Sequence, residues 1–137
     1  MKNKILVIED NPLNLELVTD LLETNNFMVW CARTAEEGFH IARDVSPDLI
    51  LMDLSLPGMD GLAAARALKA NPATRHFIVI AVTAHAMKGD EQAVLNAGCD
   101  GYLAKPIDTR TFAATIARFI ALADSRATDK ETTMKIL

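Results

Sequence analysis

Hydrophobic residues fall into short runs along the chain, and longer amphipathic segments separate the runs. The runs are Ile5-Ile8, Phe27-Ala32, Leu49-Met52, Phe77-Val82 and Tyr102-Ala104. The first, third and fourth are continuous rather than alternating with polar residues. Continuous runs are typical of strands buried on both faces, as in a parallel sheet between helices. The pattern therefore predicts parallel strands at these five places.

The segments between the runs carry helical patterns with recognisable ends. Asn11 and Pro12 form a cap and a first-turn proline for one helix. Thr34 caps a second helix, and Glu37 completes a capping box. The others are a third helix capped by Asp60, a weaker fourth from about Met87 to Ala97 that ends at Gly98, and a fifth with an apolar stripe at Phe112, Ile116, Phe119 and Ile120. Five β-α repeats predict an α/β fold, a doubly wound parallel sheet with helices on both faces.

Length and charge narrow the class of protein. The 137 residues suit one ordinary domain, which we expect at 1–122, followed by a loosely ordered polar tail at 123–137. The net charge of -4, without a basic block, disfavours a nucleic-acid surface. No apolar run approaches the roughly 20 residues of a membrane span, and the N-terminus lacks signal-peptide features. Cys31 and Cys99 are expected to be reduced thiols. Together these features predict a cytoplasmic protein that binds no membrane.

Polar residues follow four of the predicted strands at the point where each strand ends. They are Glu9-Asp10, Asp53, Thr83 and Lys105-Pro106. Taken singly, each could be a turn residue, a helix cap or a β-prone residue. The carboxyl ends of parallel strands share one edge of the sheet, however, and α/β proteins place their sites there. We therefore expect these side chains to converge.

The converging charges indicate a cation and a chemistry. Two like charges about 6 Å apart repel by roughly 3 kcal/mol at an effective dielectric of about 20, so a divalent cation would relieve the cluster. Ligands that are all oxygen favour Mg²⁺ over zinc, and His40, His76 and His85 are scattered. A metal, a hydroxyl and an ammonium around a carboxylate suit phosphoryl transfer. Asp53 is then the expected nucleophile, and Pro57-Gly58 turns the chain away from it.

Four motifs together resemble those of a known family. They are ILVIEDN (5–11), LILMDLSLPGMDG (49–61), VTAHA (82–86) and GYLAKPI (101–107). In order and spacing they are similar to the motifs of receiver domains of bacterial two-component response regulators. The resemblance covers residues 4 to about 122. The stretches EDNPLN and TAHAMKGDE are most similar to single-domain regulators of the DivK type and to receivers of hybrid kinases.

The resemblance implies a role for each site residue. Asp53 would accept a phosphoryl group from a histidine of a partner kinase or phosphotransferase. The implied Mg²⁺ ligands are Asp10, Asp53 and the backbone carbonyl of Ser55, with Glu9 acting through water. The chain would then be a phosphoacceptor that promotes its own Mg²⁺-dependent phosphorylation and dephosphorylation, rather than an enzyme with an external substrate.

Further expectations concern the switch. Thr83 and Lys105 would contact the phosphoryl oxygens, and Tyr102 would change rotamer with Thr83. The face made by the fourth helix, fifth strand and fifth helix would bind a downstream protein. The resemblance also implies the strand order 2-1-3-4-5 and a cis peptide between Lys105 and Pro106. Too few residues follow Leu122 for a DNA-binding output domain, so we expect the output to be protein contact.

Three other interpretations stay open at this point. A haloacid-dehalogenase-type phosphatase uses similar groups, but its aspartate follows the first strand with a second acid two residues on, where this chain has Ser55. A flavodoxin-like FMN binder needs a phosphate loop after the first strand, where Glu9-Asp10 would repel the phosphate. A receiver cut from a hybrid kinase has the same motifs, although an initial Met three residues before the first strand favours a free-standing protein.

Overall fold

The computed structural model describes residues 2–54, 61–83 and 88–123, with the backbone alone at 88–91. The strands are β1 (Lys4–Ile8), β2 (Met28–Ala32), β3 (Leu49–Asp53), β4 (Ile78–Thr83) and β5 (Gly101–Ala104). The helices are α1 (Pro12–Thr24), α2 (Ala35–Val45), α3 (Gly61–Ala70), α4 (Lys88–Asn96) and α5 at 112–123. The strands form one parallel sheet in the order β2-β1-β3-β4-β5. The doubly wound sheet and its implied strand order are confirmed.

The predicted bounds differ from the observed ones by a residue or so. Strand β1 begins one residue earlier than its apolar run, and β2 begins one residue later. Ala123, predicted as the start of the tail, is a residue of α5. Several predicted features lie outside the described residues: the cap at Asp60, the turn at Pro57-Gly58, Ser55, His85, Met87 and the tail at 124–137.

The core has two halves, one on each face of the sheet. Alternate residues of β1 enter different halves, so Ile5 and Val7 face α1 and α5, whereas Leu6 and Ile8 face α2, α3 and α4. All four are at most 3% exposed. Burying an aliphatic side chain contributes about 1.5–3 kcal/mol, so helices on both faces are needed to cover such a strand. This is the arrangement that the continuous apolar runs predicted.

Local capping fixes the beginnings of α1 and α2. The Asn11 side chain accepts hydrogen bonds from the backbone N–H groups of Leu13 and Asn14. Thr34 Oγ1 accepts from the Glu37 N–H at 3.2 Å. The second half of the predicted capping box is different: the Glu37 carboxylate accepts from the N–H of Arg33 at 3.3 Å, one residue before the cap. The Arg33 N–H, just before the start of α2, therefore still has a hydrogen-bond acceptor in Glu37.

Two glycines and an ion pair set how the helices meet the sheet. A Cβ at Gly61 would lie 2.5 Å from Leu54 Cα, so glycine allows α3 to start directly against the end of β3. Gly98 has a φ of +96° and follows α4, as predicted. At the opposite edge from the polar strand ends, Lys69 Nζ lies 2.8 Å from Asp100 Oδ2 and joins α3 to the start of β5.

In the described part of the chain, no helix is long and apolar enough to cross a bilayer.

Candidate functional site

Three acidic side chains meet at the carboxyl edge of β1 and β3. The chain leaves β1 at Ile8 and continues directly into Glu9 and Asp10, while Asp53 is the last residue of β3. Ile8 pairs with Met52 across the two strands, which brings their ends together. One carboxylate oxygen from each acid lies within 4.8 Å of the other two. We call Glu9, Asp10 and Asp53 the acidic cluster.

Lys105 reaches the acidic cluster from β5. Its ammonium Nζ lies 3.1 Å from Asp53 Oδ2 and 3.7 Å from Glu9 Oε1. The chain is held in place there because the Lys105 N–H donates to the Thr83 carbonyl at 2.8 Å. The peptide bond between Lys105 and Pro106 is cis, which confirms the prediction. Lys105 supplies one positive charge to three carboxylates, so the site has an excess of negative charge when all three are ionised.

Burial perturbs the ionisation of one member of the cluster. Glu9 and Asp53 are 5% and 3% exposed, whereas Asp10 is partly exposed. Burial is the main cause that raises the pKa of the Glu9 carboxyl to about 7, and its hydrogen bond and charge interaction with Asp53 act in the same direction. The hydrogen bond from Asn14 and the ammonium of Lys105 lower that pKa in part. The site thus favours an additional positive charge, whether a proton or a cation.

The donor set of the cluster fits Mg²⁺. All three candidate ligands are carboxylate oxygens, the type that hard divalent cations prefer. Their mutual distances allow one ion to contact or reach all of them through water, and its charge would favour the ionised form of Glu9. The Ser55 carbonyl, which the resemblance implies as a further ligand, lies outside the described residues.

Two further residues support the cluster, and sequence reasoning missed both. Asn14 Nδ2 donates to Glu9 Oε1 at 3.1 Å from the first turns of α1. The Arg33 guanidinium donates to the Asp10 carbonyl at 3.2 Å. Arg33 directly follows β2, so the strand-end argument that selected the other residues could have found it. Asn14 gave a weaker signal, since it lies inside a helix.

Thr83 and Tyr102 lie on neighbouring strands beside the cluster. Thr83 ends β4, is 6% exposed and pairs with Ala104. Tyr102 is half-buried, pairs with Ala81 and packs against the core half that α2, α3 and α4 cover. Because side chains alternate along a strand, Ala81 and Thr83 share a face, and the partner Tyr102 is on that face too. The two residues that the resemblance linked are therefore placed on one side of the sheet.

Comparison with protein families agrees with this geometry. The family model for the response regulator receiver domain matches residues 5–117. Over 120 residues the chain is 42% identical to the polar-differentiation response regulator DivK of Brucella ovis, and the alignment covers 88% of this chain and 98% of that protein.

Solved structures show the same similarity. The receiver domain of a sensor histidine kinase from Pseudomonas aeruginosa PAO1, with a magnesium ion coordinated in its active-site cleft, is 33% identical and superposes with a TM-score of 0.80. The match covers 88% of this chain and 99% of that one. A CheY-like response regulator receiver domain protein from Methanospirillum hungatei JF-1 is 28% identical, with a TM-score of 0.82 over 92% of this chain and 99% of that one.

Proposed function

The chain belongs to the response regulator receiver domain family of two-component phosphorelay signalling, and from that premise we propose that Asp53 is its phosphoacceptor. The phosphoryl donor is a histidine of a partner kinase or phosphotransferase. The observation that carries the proposal is the position of Asp53, a buried carboxylate at a rigid strand end, 3.1 Å from the Lys105 ammonium and within the acidic cluster.

The chemistry follows from these groups. An Asp53 carboxylate oxygen attacks the phosphorus of the phosphohistidine, a P–O bond forms, and the P–N bond breaks as the imidazole leaves and takes a proton from solvent. Lys105 lies beside the attacking Asp53 carboxylate, so its ammonium can stabilise the charge on the transferred oxygens. Asp10, Asp53 and the Ser55 carbonyl would hold Mg²⁺, with Glu9 acting through water, and the ion would neutralise further phosphoryl charge.

The phosphoryl group also gives the protein a signal to transmit. It adds about -1.5 to -2 charges at Asp53. In the proposal the Thr83 hydroxyl turns toward the new oxygens, and Tyr102 moves into the space vacated on the same face of the sheet. Moving such an equilibrium from 1:99 to 99:1 takes roughly 5.5 kcal/mol, which a few charge-assisted hydrogen bonds at about 1.5–3 kcal/mol each can supply.

The partners in this proposal are proteins. The face made by α4, β5 and α5 would bind the downstream partner, because Tyr102 of β5 is the residue that moves. The net charge of -4 disfavours nucleic acid as a partner. The free thiols of Cys31 and Cys99 fit a reducing compartment, so the proposal places the protein in the cytoplasm.

Intact-mass spectrometry after incubation with acetyl phosphate tests the proposal. Wild type with Mg²⁺ should gain one phosphoryl group, and both Asp53→Asn and EDTA should abolish the gain. Asp44→Asn is a matched control because Asp44 is exposed on α2, away from the cluster; it should be labelled like wild type. Equal labelling of Asp53→Asn and wild type would contradict the assignment, and labelling that persists in EDTA would contradict the role of Mg²⁺.

A further inference from the structure

A cavity of about 400 Å³ lies beside the acidic cluster, between α1 and the segment that follows β5. Its walls are largely aliphatic: Val7, Leu51 and Val82 come from the sheet, Leu17 and Val18 from α1, and Ile107 from the segment after β5. Pockets that hold small molecules measure about 300–1,000 Å³ and combine apolar walls with a few convergent polar groups. This cavity has the size and the walls of such a pocket.

One end of the cavity is charged. Glu9, Asp53 and Lys105 line that end, and the two carboxylates are at least nine-tenths buried. Among the described residues that line this end, two carboxyl groups face one ammonium, so the end has an excess of negative charge when both carboxyls are ionised. An anionic ligand would be repelled by Glu9 and Asp53, and a neutral one would leave the excess uncompensated. Charge complementarity therefore selects a ligand with a cationic end.

We propose that this cavity binds a small aliphatic or aromatic amine. The hydrocarbon part lies against the walls formed by Val7, Leu51 and Val82, and the protonated amino group lies beside Glu9 and Asp53. Leu17 is 44% exposed and forms part of the mouth through which the ligand enters. Binding of the amine needs nothing beyond this cavity and its charge.

A regulatory consequence follows, and it rests on the proposed function. The amino group takes a position beside the same carboxylates that would hold Mg²⁺. Occupation of the cavity therefore competes with Mg²⁺ and reduces phosphorylation of Asp53. The protein would respond to an amphipathic amine by losing its capacity to accept a phosphoryl group.

NMR titration of the full ¹⁵N-labelled chain with 3-phenylpropylamine, at about pH 8 without Mg²⁺, tests the site. The neutral isostere 3-phenylpropan-1-ol is titrated in parallel. Saturable shifts should appear at the amides of the cavity walls, with the amine binding at least about tenfold more tightly than the alcohol, the discrimination expected of one charge-assisted contact. Glu9→Gln should reduce this preference.

A matched pair of variants tests the location. Leu17→Trp narrows the mouth and should weaken amine binding by at least about tenfold, while Leu95→Trp should bind like wild type. Both leucines are 44% exposed on helices, but Leu95 lies on α4 and does not line the cavity. Absence of saturable shifts in wild type, or equal affinity of Leu17→Trp and wild type, would overturn the site. Equal affinities for amine and alcohol would overturn the ligand class.

A Mg²⁺ titration with and without the amine separates this inference from the proposed function. Competition predicts that the amine raises the Mg²⁺ concentration needed for half-saturation, and simultaneous binding of both would overturn the regulatory consequence. If the chain bound no Mg²⁺ at all, the metal part of the proposed function would fail. The amine shifts and the Leu17→Trp comparison would still decide the cavity by themselves.

Discussion

Removal of the Glu9 charge should stabilise the protein in the absence of Mg²⁺. Glu9 is 5% exposed beside Asp53, and burial is the main cause that raises its pKa from 4.5 to about 7. The folded state therefore holds the Glu9 proton more tightly than the unfolded state does. The Glu9 contribution to the free energy of unfolding is largest below about pH 4.5, declines as the pH rises to about 7, and is constant above that. Glu9→Gln keeps the shape of the side chain and removes this decline.

The size of the effect follows from the two pKa values. The difference between pKa values of 4.5 and about 7, at about 1.36 kcal/mol per pKa unit, limits the gain in the free energy of unfolding from Glu9→Gln to about 3 kcal/mol. Solvent reaches the cluster at the partly exposed Asp10 and screens part of the interaction, so we expect about 1–3 kcal/mol above neutral pH. For a chain of this length that corresponds to a rise in melting temperature of roughly 3–10 °C.

Thermal melts in EDTA between about pH 5 and about pH 8 check this prediction. The melting temperature of wild type should fall relative to that of Glu9→Gln as the pH rises, so the two curves converge at the acid end and separate at the alkaline end. Glu23→Gln is the control, because Glu23 is exposed on α1, and its curve should follow wild type. Parallel curves for Glu9→Gln and wild type across the whole range would refute the reasoning.

Three other substitutions give distinct outcomes. Asp10→Asn removes one of three like charges within 4.8 Å and should raise the melting temperature in EDTA while weakening Mg²⁺ binding, which melts with and without Mg²⁺ measure. Asp100→Ala removes the ion pair with Lys69 and the acceptor of the Val79 N–H, and should cost about 1–3 kcal/mol in urea unfolding. Thr83→Ala should still be phosphorylated but lose most of the phosphorylation-dependent gain in affinity for a downstream protein, measured by binding titration.

Each of these predictions can fail clearly. Identical melting of Asp10→Asn and wild type in both conditions would remove the like-charge argument. Unchanged urea unfolding of Asp100→Ala would mean that the contacts at the opposite edge of the sheet add no stability. Full retention of the affinity gain in both Thr83→Ala and Tyr102→Ala would reject the switch and leave the phosphorylation site intact.

The fold was predictable as far as burial controls local sequence. The unbroken run Leu49-Met52 indicated a strand covered on both faces, and the structure places alternate residues of such strands in two core halves. Strand order could not be predicted from the apolar pattern. It depends on which side of the sheet each crossover takes, and the apolar period is the same for every order. The order 2-1-3-4-5 came from the family resemblance and not from the pattern.

The site was predictable as far as strand ends determine it. Glu9, Asp10, Asp53 and Lys105 were selected because parallel strands share one carboxyl edge, and the structure brings them together. This argument did not select Asn14, because a helix turn and not a strand end presents it to Glu9. The cavity was not predicted either, since its aliphatic walls are indistinguishable in sequence from ordinary core residues.

The position of the phosphoryl group is the most direct test of Asp53 as the phosphoacceptor. Borohydride reduces an aspartyl phosphate to homoserine, so the chain would be incubated with acetyl phosphate and Mg²⁺, reduced, digested and sequenced by mass spectrometry. The assignment of Asp53 predicts homoserine at position 53 and at no other aspartate, Asp10 included, and no 5-hydroxynorvaline, the reduction product of a glutamyl phosphate, at Glu9 of the same cluster. Homoserine at another position, with Asp53 unmodified, would contradict it.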